Sequence, residues 1–301
     1  MVRQSKHVGT LSAFILQTAK TRSPGCGGNG EKQMGHYPQV ITVTSGKGGV
    51  GKTNIAVNLA CRLGEKARVI LLDADLGLAN VDVLLGVTPP HELSQLFSDG
   101  VRLEDILFPT PFGFSILPTA SGLESIVELS TGQKLELLNA MDSIADSTDY
   151  LIVDTGAGIN MNVLYFCMAA RQRLLVVTPE PTSLTDAYAL IKVLHIKHGI
   201  DTFRVCINMA PDVKTAKQIF GRLCDACDQF LTGVSLDLSG IIPFDAEVRR
   251  AVMNQKPFLR FSTSCAASAA LRSMAAAVPQ WGGPSRDDGN IKFFWKKFLF
   301  R

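Results

Sequence analysis

The stretch Ser45-Gly46-Lys47-Gly48-Gly49-Val50-Gly51-Lys52-Thr53, set directly behind the apolar run Val40-Ile41-Thr42-Val43-Thr44, decides the fold. It completes the pattern G-x-x-x-x-G-K-[ST] in Gly46, Gly51, Lys52 and Thr53. In such a loop the glycines let backbone N–H groups close around phosphates, the lysine reaches the β- and γ-oxygens, and the threonine hydroxyl turns to Mg²⁺. A β-branched strand leads in, and Asn54 to Ala60 follows with apolar residues at helical spacing, the setting that separates a nucleotide loop from a chance glycine turn. Lys47 is a second lysine on the outer lip of the loop. It is expected to point away from its own nucleotide and towards whatever packs across it, a second subunit.

Outward from the loop the order is strand, loop, helix, repeated. Arg68 to Leu72 reads as a second strand ending in Asp73-Ala74-Asp75, and Tyr150 to Val153 as a third ending in Asp154-Thr155-Gly156-Ala157-Gly158. Arg173 to Thr178, Phe203 to Ile207 and Gly240 to Ile242 supply three more. Nearly continuous apolar strands separated by helices predict an α/β fold: a mostly parallel sheet with helices on both faces, a P-loop NTPase with its ligand at the carboxyl ends of the strands. Asp154 closes its strand as a Walker B aspartate does, placed to hold a water of a Mg²⁺ shell. Asp73 and Asp75 stand two apart on an extended segment, so both point the same way, towards metal and γ-phosphate.

The 301 residues are 46% hydrophobic, enough for one sizeable core, and no stretch of 18 uncharged apolar residues occurs. Seven cysteines, an odd number scattered through core-like elements, fit a reducing compartment rather than a disulfide framework. Four parts are expected: a flexible extension over residues 1–38, a P-loop ATPase domain over 39–278, a Pro- and Gly-rich linker over 279–290, and an amphipathic helix over 291–301. The short apolar run Leu11 to Leu16 is too brief for a secretory signal. In the last segment Ile291, Phe294, Trp295, Phe298 and Leu299 fall on one helical stripe, with Lys292, Lys296 and Lys297 off it, a pattern suited to a membrane interface. The chain carries +3, and its last 11 residues hold three Lys, one Arg and no acid, which leaves the body near −1 and gives no support to a nucleic-acid face. Cys224 and Cys227 form a C-x-x-C, but Ile219, Phe220, Leu223, Cys227 and Phe230 share a helical stripe, which makes Cys227 a core residue. The five histidines form no catalytic pair and no zinc set.

Lys47 to Thr53 together with Asp73-Ala74-Asp75-Leu76-Gly77-Leu78-Ala79-Asn80-Val81-Asp82 resembles the MinD/ParA group of deviant Walker A ATPases. Glu180 to Lys192 and Asp154 to Ile159 are similar to the flagellar-number regulators of the FlhG and FleN type. The resemblance implies slow, regulatory hydrolysis of ATP with Mg²⁺ in an ATP-sandwich homodimer. It implies that Gly46 to Asn54 hold the nucleotide, that Lys52 grips its phosphates, and that Lys47 reaches the partner's phosphates. Asp75 would position the attacking water, Thr53, Asp73 and Asp154 would serve the metal, Asn208 would read the adenine edge, and Pro243, Phe244 and Asp245 would lie against the base. Gly156 departs from relatives that often carry proline or alanine, which loosens the backbone behind Asp154. The implied partners are an anionic membrane surface, the GTPase FlhF, basal-body proteins or an enhancer-binding activator, with no direct nucleic acid and a place on the inner face of the cell membrane. Competing readings are a division-site or DNA- and cargo-positioning ATPase, and an iron–sulfur carrier that uses Cys224 and Cys227.

Overall fold

The computed structural model describes residues 38–75, 80–97, 100–119, 130–145 and 147–282. The expected N-terminal extension, apart from Pro38, and the amphipathic stripe at 291–301 lie outside these residues. One eight-stranded sheet organises the rest: β1 (Gln39–Ser45), β2 (Val69–Ala74), β3 (Phe108–Pro109), β4 (Ser115–Leu117), β5 (Tyr150–Ala157), β6 (Gln172–Val177), β7 (Thr202–Ala210) and β8 (Ser235–Pro243). Their order across the sheet is β3-β4-β2-β5-β1-β6-β7-β8. Every pairing is parallel except β3 with β4, whose short antiparallel edge the sequence did not announce.

Alternation along each strand sorts the core into two faces, as the pleat requires. Ile41, Val43, Leu71, Ile152, Leu174 and Val176 face the helices Lys52–Leu63 and Ala266–Ala277. Val40, Leu72, Leu151 and Val153 face the helix Thr131–Ala145 on the other side, and Leu175, Val177, Val205 and Ile207 continue that face under Pro181–His198 and Val213–Phe230. With both faces covered, the strands read as continuous apolar runs. Among the described residues, no helix is long and apolar enough to cross a membrane.

Three expectations need correction. The strand expected at Gly240–Ile242 runs from Ser235 to Pro243, because Leu236 and Leu238 pack at the sheet edge although the polar Ser235, Asp237 and Ser239 between them disguise the run. Residues 279–281, expected to open the linker, belong to the body instead: Val278–Gln280 form a 3₁₀ turn and Trp281 is buried against the core, its bulk outweighing the Pro and Gly around it, while 283–290 lie outside the described residues. Cys227 is core, as expected, but Phe230 on the same stripe is 64% exposed and stacks edge-on with Tyr188.

Candidate nucleotide site

The chain leaves β1 at Ser45, turns through the glycine loop and enters the helix Lys52–Leu63. Gly51 is the N-cap at φ 89°, a left-handed conformation that a side chain resists, and no side chain caps the helix. Its first N–H groups are thus kept for an anion. Gly46 answers a different need: a Cβ there would stand 2.1 Å from the backbone carbonyl of Asp186, where the helix Pro181–His198 presses on the loop. Lys52 is buried; desolvation lowers its pKa, while Asp154 and Asp75 pull it back up.

Register brings the carboxylates together. Asp73 on β2 pairs directly with Asp154 on β5, and Val43, near the end of β1, pairs with Asp154 from the other side. Burial, reinforced by Asp73, pushes the Asp154 carboxyl up to about 8 against the opposing pull of Thr53 and Lys52. Asp154 Oδ1 is buried without a hydrogen-bond partner among the described residues. A buried, unpartnered carboxylate oxygen next to a threonine hydroxyl fits a hard cation such as Mg²⁺.

Asp73 is spent differently from the sequence reading. Its Oδ2 accepts the backbone N–H groups of Asn80 at 3.0 Å and Val81 at 3.1 Å, and its Oδ1 accepts that of Asp75. It therefore ties down the segment after β2, and Thr119 Oγ1 donates to its carbonyl at 2.6 Å. Burial pushes its carboxyl up to about 6 against those N–H groups. Asp75 lies across from Gly156, where a Cβ would meet Asp75 Oδ1 at 3.2 Å. Gly156 thus makes room for this carboxylate.

Lys47 does not hang free over the lip. Its Nζ donates to Glu180 Oε2 at 2.5 Å and Thr182 Oγ1 at 2.7 Å, both in the same chain at the start of the helix Pro181–His198. The sequence drew attention to this segment without giving either residue a task; an exposed acid leaves no chemical signal until its partner is known. Asn208, buried at the end of β7, donates Nδ2 to the Val50 carbonyl at 2.8 Å and so braces the loop. Its amide oxygen remains as an acceptor, which suits a 6-amino purine edge. Pro243 ends β8 and Phe244 is 72% exposed beside it. Asp245 is occupied: its oxygens accept the N–H groups of Glu247 at 3.0 Å and Ala267 at 3.2 Å, and although burial works to raise it, these bonds hold its carboxyl below the usual range. Phe244 rather than the Asp245 carboxylate is therefore the group available to a base.

Residues 41–258 match the family model of the CobQ/CobB/MinD/ParA nucleotide binding domain. Antiactivator FleN of Pseudomonas aeruginosa is 47% identical over 271 residues, covering 89% of this chain and 96% of that protein. The flagellum site-determining protein YlxH of Helicobacter pylori is 31% identical, covering 86% of this chain and 89% of that one. Among solved structures, the septum site-determining protein MinD of Pyrococcus horikoshii complexed with Mg-ADP aligns with a TM-score of 0.65 at 25% identity, covering 82% of this chain and 98% of that one. With the loop, the buried lysine and the paired aspartates in the places that such a domain requires, the chain belongs to the MinD/ParA family and is an ATPase.

Proposed function

We propose that this chain is an ATP-controlled dimerisation switch that sets flagellar number and placement at the inner face of the cytoplasmic membrane. The observation that carries this reading is the 47% identity to Antiactivator FleN along nearly the whole length of both proteins. That name also favours a transcriptional activator as one partner; FlhF and basal-body proteins are the others to test. The N-terminal extension, the ATPase body and the tail at 291–301 are its proposed parts.

Thr53 and Asp154 would hold Mg²⁺ with Asp73 behind them, and the ion would offset charge on the β- and γ-phosphates. Lys52 grips the same phosphates from its own chain. Asp75 orients the attacking water, and Gly156 leaves it the space to do so. Asn208 accepts from the adenine amine, and Phe244 covers the base. Lys47 is the cross-subunit contact. Its bond to Glu180 is an exposed ion pair, with the side chains 35% and 61% accessible, and such pairs contribute only about 0–1 kcal/mol. A charge-assisted contact with a partner's phosphate, at about 1.5–3 kcal/mol, outweighs it. Hydrolysis removes that phosphate and so acts as a timer on the dimer.

Size-exclusion chromatography with light scattering tests the reading. With ATP and Mg²⁺ the wild type should run as a dimer and with ADP as a monomer. Lys47→Ala should stay monomeric while still binding nucleotide. A wild type that is monomeric in ATP, or dimeric to the same extent in ADP, would sink the switch.

A further inference from the structure

The opposite end of the sheet holds a cavity with no part in nucleotide chemistry. It opens at the amino ends of β6, β7 and β8, a strand's length or about 20 Å from the glycine loop, and has a volume of about 330 Å³. Arg171, Arg173 and Arg204 line it together with Trp281, Gln172 and Asp237. Among the described lining residues Arg204 and Asp237 balance one another and Arg173 has no carboxylate against it, in a body whose net charge is slightly negative.

The arginines are held, not loose. Arg173 donates Nε to the Cys167 carbonyl and its two terminal nitrogens to the carbonyls of Arg171 and Ala170, at the end of the helix Met161–Ala169. Among the described residues no carboxylate pairs with it. Each terminal nitrogen of a guanidinium carries two hydrogens, so two N–H groups of Arg173 remain beyond these bonds. Arg204 is fixed by Gln172, by Asp237 and by the Trp281 ring, whose centroid lies 4.8 Å from its guanidinium carbon. Arg173, positioned by neutral carbonyls beside an Arg204 that is paired with Asp237 and held over Trp281, is preorganised for an incoming anion. The planar fork of arginine matches tetrahedral phosphoryl oxygens in particular.

We propose that this cavity is a second anion site, one that takes a phosphoryl group, either free phosphate or the headgroup of an anionic phospholipid. It is independent of the nucleotide loop. Trp281 is its built-in reporter, since the chain has 2 tryptophans and Trp295→Phe leaves Trp281 alone. In the full-length Trp295→Phe protein, inorganic phosphate should change Trp281 fluorescence saturably beyond a chloride control of equal ionic strength. Phosphatidylglycerol vesicles should do so where phosphatidylcholine vesicles do not, if the source is lipid. A response to phosphate alone assigns the free anion. Arg173→Gln should weaken the response about tenfold or more, and Asp237→Asn, which removes the carboxylate paired with Arg204, should strengthen it several-fold, a gain that misfolding cannot mimic. Lys52→Ala should leave it unchanged. No saturable response to either probe, a response indifferent to Asp237→Asn, or one abolished by Lys52→Ala, overturns the proposal. So does a response to duplex DNA alone, which would make the surface a nucleic-acid contact.

Discussion

At the residue scale, two glycines near the site carry opposite expectations. A Cβ at Gly46 meets backbone at 2.1 Å, and backbone cannot rotate aside. Gly46→Ala should therefore displace the loop from the helix Pro181–His198, abolish ATP binding and cost about 3 kcal/mol, the upper end of the range typical of overpacking. At Gly156 the neighbour is the tip of the Asp75 side chain at 3.2 Å, which yields. Gly156→Ala should leave the thermal midpoint and ATP affinity nearly unchanged while lowering the hydrolysis rate, because it moves the carboxylate assigned to the attacking water. Asp75→Ala should be the extreme of that behaviour: ATP still bound, the dimer persistent on size exclusion, and turnover lost by about 10²-fold or more. If Asp75→Ala fails to bind ATP, its assigned task is wrong. These distinctions were only partly legible in the sequence. The motif announces that Gly46 is glycine, but the reason, a helix 140 residues further on, exists only in the fold.

At the element scale, the strands were readable because burial on both faces makes them apolar almost throughout, and Asp73 and Asp154, towards the carboxyl ends of β2 and β5, marked which ends carry chemistry, although β5 runs on past Asp154 to Ala157. What escaped was whatever tertiary contact decides. The β3–β4 pair is too short for periodicity to show. Phe230 looks like core from its spacing, yet it sits at the last turn of its helix, where little remains to cover it. Asp245, which the resemblance places in the loop against the base, is the N-cap of the helix Ala246–Met253. Asp245→Ala should cost about 1–2 kcal/mol by unsatisfying the start of the helix Ala246–Met253, which is several degrees in thermal midpoint or less for a domain of this size. The carboxyl is depressed in the folded state, so the folded chain holds the proton less readily than the unfolded one. The stabilisation is then present above the ordinary Asp range and fades as pH falls through the depressed value. The gap between wild type and variant should narrow in thermal melts as the pH is lowered through and below the ordinary Asp value of about 3.9. A gap unchanged there would mean that the carboxylate's charge is not what stabilises the cap.

At the scale of the whole molecule, the proposed switch would join three events: ATP would enter at the carboxyl ends of the strands, two chains would close over it, and two tails over 291–301, read from their sequence as basic and amphipathic, would face a membrane together. One tail offers an apolar stripe and four cationic side chains, each worth about 1 kcal/mol near an anionic surface, against the entropy of ordering it. That is marginal for a monomer. Joining two tails raises the effective concentration of the second into the millimolar range and strengthens attachment by about 100-fold without a new contact. Deleting residues 290–301 should therefore abolish attachment while sparing the ATP-dependent dimer on size exclusion, and Trp295→Glu should nearly match the deletion. The decisive measurement is co-sedimentation of the full-length protein with phosphatidylglycerol-containing vesicles in ATP, in ADP and without nucleotide. The account expects most of the protein in the pellet with ATP and Mg²⁺, little in the other two conditions, and little in any condition for Lys47→Ala. Equal sedimentation in ATP and ADP, or full sedimentation of Lys47→Ala, would contradict it.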